Sequence, residues 1–329
     1  MPRISIESGT RMTKLMLWRF YRHIGLHSMF IITTLLLSSS VVFGQNFTQD
    51  FTDASGEVIV RVYTGPWVYG QHNTTEISVD TDFVLVGGGA MISQWANPDD
   101  LLGQPGALLT ASYPNSNFTT WHAASKDHGT AYPHYLRAYA IGMRLSGLSS
   151  VQLRSYMTMV QQTSSSGHHP TAVASVPPGY LLLGGGARSN GSLARGLLLT
   201  ASYPYSFNEW GASAKDHHFS EISTVDAFAI GIQPSIPGFG VLSVTYNNIP
   251  TYAPTSYGVA SIQAPTGWVV SSVGGWAQYS GAGRMLTDLF PYWEPSTNRL
   301  GAKAISKDHL GSYKTAGYTY AYTVSIQKQ

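Results

Sequence analysis

Four short motifs recur in the same order three times along this chain, and that repetition constrains the fold more than any other feature. The first is an apolar stretch ending in glycines, Phe83-Val84-Leu85-Val86-Gly87-Gly88-Gly89-Ala90. It returns as Tyr180-Leu181-Leu182-Leu183-Gly184-Gly185-Gly186-Ala187 and, altered, as Trp268-Val269-Val270-Ser271-Ser272-Val273-Gly274-Gly275-Trp276-Ala277. The second is Leu108-Leu109-Thr110-Ala111-Ser112-Tyr113-Pro114, matched by Leu198 to Pro204 and by Met285 to Pro291. The third is Lys126-Asp127-His128, repeated as Lys215-Asp216-His217 and Lys307-Asp308-His309 at offsets of 89 and 92 residues. The fourth is a closing stretch, Leu136 to Gly142, then Val225 to Gly231, then Tyr318 to Val324.

These landmarks divide the chain into segments 56–147, 148–236 and 237–329, after a leader over 1–44 and a linker over 45–55. Each segment opens with a β-like run: Val58 to Tyr63, Val151 to Val160 and Val241 to Tyr246. No window sustains the i, i+3, i+4, i+7 spacing of an amphipathic helix. Twenty Tyr, twelve Phe and eight Trp suit strands better than helices. The expected fold class is all-β: three repeated β modules, sandwich- or prism-like, in tandem or around a pseudo-threefold axis. The first segment carries an extra stretch, Asn97 to Pro105, that reads as a surface loop. Gly87-Gly88-Gly89 lacks the Lys-Ser/Thr of a phosphate loop, so the glycines are expected to mark a bulge or the close approach of another backbone.

Arg11, Lys14, Arg19 and Arg22 precede the apolar run Met29 to Leu37 and the small residues up to Gly44. That is the layout of a secretory signal peptide, cleaved near Gly44–Gln45. The expected protein is secreted, cell-surface or periplasmic, with no transmembrane span after cleavage. The leader holds five of the 19 Lys and Arg and one of the 17 acids, which leaves 14 basic and 16 acidic residues. The basic surplus belongs to the leader, and no case for nucleic acid remains. There is no cysteine, hence no disulfide, thiol nucleophile or thiolate metal site. Asn46, Asn73, Asn117 and Asn190 each begin a glycosylation sequon.

The order Pro-x-Gly, apolar strand, Gly-Gly-Gly-Ala, Ser-Tyr-Pro, Trp and closing strand resembles a poorly characterised β module of secreted bacterial proteins. That module sometimes accompanies collagen-like or other surface segments. The second segment matches best, through Pro177-Pro178-Gly179, Gly184 to Ala187, Ser202-Tyr203-Pro204, Trp210 and Ala227-Phe228-Ala229-Ile230. The first matches from Gly87 through Ile141, and the third is degraded. Where the family often has cysteines, this chain has Val176, Gly231 and Gly142. The resemblance implies export and a β fold, and no mechanism.

Lys-Asp-His is the one polar motif that repeats. Asp accepts from sugar hydroxyls, His donates or accepts, Lys donates, and a nearby aromatic offers an apolar face to a pyranose. The candidate ligand-binding residues are therefore Trp121, Lys126, Asp127 and His128; Trp210, Lys215, Asp216 and His217; and Lys307, Asp308 and His309. The competing reading is a turn, because Asp caps turns through nearby backbone N–H groups, with Trp121 and Trp210 as core anchors. Three histidines on a shared axis would be the one route to a metal site, and neither metal nor cofactor is expected. Catalysis has little support: there is no Gly-x-Ser-x-Gly elbow, and the single recurring acid per segment does not supply paired carboxylates. The expectation is a non-catalytic binding protein for glycans or a cell-surface component. The alternative is a structural or adhesive repeat protein, and the third reading is an exported hydrolase.

Overall fold

A computed structural model describes residues 48–97, 107–129, 131–193, 196–253, 257–280, 283–308 and 316–329. The leader over 1–44 that the sequence suggests is a signal peptide, His309 and residues 98–105 of the first segment's extra stretch lie outside these residues. The fold is all-β: strands run throughout, joined by loops and one short helix, Ser150–Ser155. That helix begins in a capping box between Ser149 and Gln152. Among the described residues no helix is long and apolar enough to cross a membrane.

The landmarks become strands of fixed type. Glycine strands are Val84–Ser93, Leu181–Ser189 and Val269–Tyr279. Proline strands are Leu108–Pro114, Leu198–Ser206 and Met285–Glu294. Lysine strands are Thr120–Lys126, Glu209–Lys215 and Arg299–Lys307. Closing strands are His134–Leu145, Val225–Ile232 and Gly317–Lys328. Opening strands are Val58–Thr64, Met157–Thr163 and Gly240–Ala253, and rim strands are His72–Ser78, Thr171–Ser175 and Tyr257–Gln263.

Three antiparallel sheets result, and each mixes two segments. The six-stranded sheet joins the rim, lysine and proline strands of the first segment to the glycine, closing and opening strands of the second. In the seven-stranded sheet the second segment's proline strand meets the third segment's glycine strand. The eight-stranded sheet closes the ring, because the third segment's proline strand meets the first segment's glycine strand. A tandem string of self-contained modules would pair each glycine strand with its own proline strand. Here every such pairing is made with another segment, at a seam that recurs once per sheet.

The same bulge sits in each glycine strand, at Val86, Leu183 and Ser271, and another in each proline strand, at Thr110, Thr200 and Thr287. An extra residue bends its strand and sharpens the twist. The bends bring the three glycine strands together. A Cβ on Gly87 would collide with the Ser271 carbonyl and lie 2.7 Å from the Ser272 Cα. A Cβ on Gly184 would collide with the Val86 carbonyl. Close backbone approach is thus the reason for these glycines, as the sequence implied.

One residue on, Gly88 and Gly185 leave room for Trp121 and Trp210, whose rings a Cβ there would overlap. Both indoles are buried, at 1% and 0% exposure, and each Nε1–H donates to a serine hydroxyl: Trp121 to Ser112 at 3.0 Å, Trp210 to Ser202 at 3.1 Å. Buried tryptophan needs such a partner. The third segment fills the same place differently. By register, Val273 stands where glycine does, Ala302 where tryptophan does and Leu289 where the serine does, and all three are buried. The bulk has moved from one strand to another, and with no indole to satisfy, the hydroxyl is gone too.

Candidate functional site

The Lys-Asp-His residues close turns and pack between segments. Lys126 is buried, and its Nζ donates to the carbonyls of Ser192 at 2.7 Å and Gly196 at 2.8 Å. Lys215 is buried with its Nζ 4.3 Å from the centre of the Tyr279 ring. Lys307 is fully buried, with Asp288 as the neighbouring charge. Burial lowers Lys126 and Lys215 to about 8 and Lys307 to about 7. Asp127 accepts the Tyr132 N–H at 2.8 Å and holds His72 at 3.0 Å. Asp216 does the same five residues on, accepting the Glu221 N–H at 3.1 Å and holding His168 at 2.7 Å. These are turn-closing carboxylates.

Asp308 is buried. His128 is buried and donates through Nε2 to the His217 carbonyl, with the two rings 6.0 Å apart. Among the described residues no group of three or more His, Asp or Glu is placed to hold a metal ion. Of the ten sequence candidates among the described residues, Trp121, Trp210, Lys126, Lys215, Lys307, His128 and Asp308 are buried, and Asp127, Asp216 and His217 are half-buried. Packing against another segment, invisible in the sequence, holds Lys126, His128 and Lys215.

An open surface with polar chemistry lies on the outer face of the six-stranded sheet, over its seam. A groove of about 540 Å³ runs across the rim, lysine, proline and glycine strands there. Ala111 and Ala124 line it from the outward face of the sheet. Thr74, Glu76, Thr110, His122 and Arg188 bring polar atoms to it. Tyr113 stands among them, stacked 5.1 Å from His122 on one side and 5.1 Å from Phe228 on the other.

Two side-chain contacts order this lining. Glu76 lies 3.1 Å from His122 Nδ1. Arg188 donates through Nε at 3.0 Å and Nη2 at 2.6 Å to Asp226, and its guanidinium sits 5.1 Å from the Tyr113 centre. Asp226 is 1% exposed and also accepts from Thr163 at 2.7 Å. Burial alone would raise its carboxyl, but the Thr163 and Arg188 hydrogen bonds outweigh this and hold it below its ordinary value. Asp226 takes one edge of a five-donor guanidinium, which keeps Arg188 oriented at the groove.

The other two seams carry an aromatic pair at the same register. Tyr203 lies 5.2 Å from Tyr322, and Phe290 stacks 5.5 Å from Tyr139. Around Phe290 is a groove of about 260 Å³, where Lys303 sits 4.9 Å from the Tyr292 ring. Sequence reasoning noticed Tyr113 and Tyr203 but not Arg188, His122, Glu76 or Phe228. The one available signal was the aromatic residue before proline in every second landmark. Its partners come from another segment, so their sequence separation hid them.

No protein-family model matches the chain, and no curated protein matches it.

Proposed function

We propose that this is an exported, non-catalytic glycan-binding protein whose principal site is the groove over the Tyr113 seam. The observation that carries the reading is the composition of that groove: outward-facing alanines and an aromatic ring beside fixed donors and acceptors. Ligand sites combine apolar surface with a few convergent polar groups, and this one does so. The C–H face of a pyranose would rest against Tyr113 and the alanines. Its hydroxyls would meet Thr74, Thr110, the Glu76 carboxylate and the guanidinium edge that Asp226 leaves. Because Glu76–His122 and Arg188–Asp226 are already paired, little ordering cost falls on binding. The leader supports export.

A glycan-array screen of residues 45–329 beside the Tyr113→Ala variant tests the reading. Selective binding that disappears in the folded variant is the expected result. No binding across a broad array, or binding unchanged by Tyr113→Ala, would overturn it. The second reading, a structural repeat protein, draws on the inward placement of Trp121, Trp210 and the lysines and is the one left standing in that event.

A further inference from the structure

The outer face of the seven-stranded sheet carries a continuous array of aromatic rings. Strand alternation sets it up: Tyr318, Tyr320 and Tyr322 point the same way because side chains on a strand repeat every second residue. Register then brings neighbours in. Trp276 pairs with Tyr320, Tyr252 with Tyr318, and Ala201 with Trp276, which places Tyr203 and Tyr205 on the same face. Trp276 stacks on Tyr203 at 5.5 Å and 7° and on Tyr320 at 5.1 Å and 23°. Along the closing strand Tyr318, Tyr320 and Tyr322 follow at 6.1 Å intervals, and Tyr252 lies 5.2 Å from Tyr318. At the borders Tyr205 is 57% exposed, Tyr252 54% and Tyr318 41%.

The face is also uncharged. From Tyr205 across to Tyr252, the outward positions hold Tyr, Trp, Gln, Asn, Pro, Ala and Gly, with no acid or base. Among the described residues no cation lies over any of the array's rings, whereas Arg188 and Lys303 cover rings at the other two seams. Tyrosine hydroxyls and Gln278, which accepts from Tyr320 at 3.3 Å, supply hydrogen-bonding atoms across it. A large aromatic patch on a soluble surface marks an interaction site.

We propose that this face is a second binding site, for an uncharged, extended polysaccharide chain. Charge selects the occupant. An acidic or basic polymer would leave its ions without counter-charges here, while a neutral glycan brings hydroxyls and apolar C–H faces alone. Extent selects a chain over a single sugar, because the rings run across four strands and along one of them for five residues. Each contact is small, and affinity comes from many made at once along the polymer. The site is independent of the Tyr113 groove and stands whether or not that groove binds a short glycan.

The experiment is depletion of residues 45–329 from solution by insoluble cellulose, chitin, β-1,3-glucan and α-glucan. It is run with Tyr113→Ala, with Tyr205→Ser/Tyr252→Ser/Tyr318→Ser and with the single outward change Tyr205→Glu. The expected result is depletion by at least one polymer, retained at high salt and in Tyr113→Ala. It should weaken by about tenfold or more in the triple variant and fall also in Tyr205→Glu, an exposed site where folding is not at stake. No depletion by any of the four polymers would overturn the proposal. So would equal depletion with folded triple variant. A monomer–dimer equilibrium of the wild type in sedimentation that the triple variant abolishes would also overturn it, by showing a second copy to be the occupant.

Discussion

Over Tyr113 in the six-stranded sheet lies Arg188; at the matching position over Tyr203 in the seven-stranded sheet lies Trp276. Across the proline–lysine hairpin the same two seams differ again, His122 against Gly211. One seam is therefore a groove with two ordering side-chain contacts, the other a flat row of uncharged rings. Beneath them the inner faces are near copies, with Trp121 and Trp210 in the same place, under a glycine and tied to a serine. The inner layer must satisfy backbone contact and close packing, which few side chains allow. The outer layer answers to solvent or a ligand and is free to differ. Between these two seams the chemistry that differs lies on the outer face.

The largest expected effects attack the inner layer. Trp210→Ala should cost about 3–5 kcal/mol of unfolding free energy in urea titrations, the cavity cost of a buried tryptophan. Adding Ser202→Leu, the counterpart of Leu289, should recover part of that loss, while Gly185 is kept because a Cβ there would also meet the Phe228 carbonyl. If the double variant is no more stable than Trp210→Ala, the two fillings are not interchangeable and the inner equivalence breaks. Gly88→Ala should cost about 1–3 kcal/mol through overpacking against Trp121 and the Tyr139 carbonyl, whereas a loop glycine where a Cβ would meet nothing, such as Gly167, should tolerate alanine far better.

Lys307 gives a pH signature of the same layer. Its folded value is near 7 against 10.5 when exposed, so the folded chain sheds this proton first. Between those values the unfolded state binds more protons, and stability rises with pH. Below about pH 7 the folded protein must bury the ammonium and the full penalty applies. Urea titrations from pH 6 to 10 should show a rising free energy, steeper in wild type than in Lys307→Met by at most about 1.4 kcal/mol per pH unit. Parallel profiles for the two proteins would contradict the assignment. Smallest of all, Glu76→Gln at the groove should leave stability within about 0.5 kcal/mol of wild type while reducing glycan binding. Loss of binding without loss of stability there would sharpen the division between layers.

Much of the strand content was legible because alternation and β-branched runs carry it locally. Val58 to Thr64 and the glycine strands form where the pattern places them. The triple glycines were read as sites of close approach, and the Asp127 and Asp216 carboxylates serve as the turn alternative described them. The candidate site was not legible. Trp121 five residues before Lys126 looked like a binding pair, yet the two are buried in different surroundings, one under Gly88 and the other against Ser192 and Gly196. Arg188 lies 75 residues beyond Tyr113, in another segment, and nothing in the local pattern joins them.

By itself the sequence determined that this chain is built of strands, where its turns fall and which positions admit only glycine, because those depend on backbone geometry within a few residues. The tertiary structure alone decided which segments share a sheet. A glycine strand can pair with any proline strand of the same kind, and the choice of a neighbouring segment rests on the packing of the whole ring. That choice holds Lys126 and Lys215 and brings Tyr113 to Arg188 and Tyr203 to Trp276. The surface chemistry of this protein is made at the seams between segments.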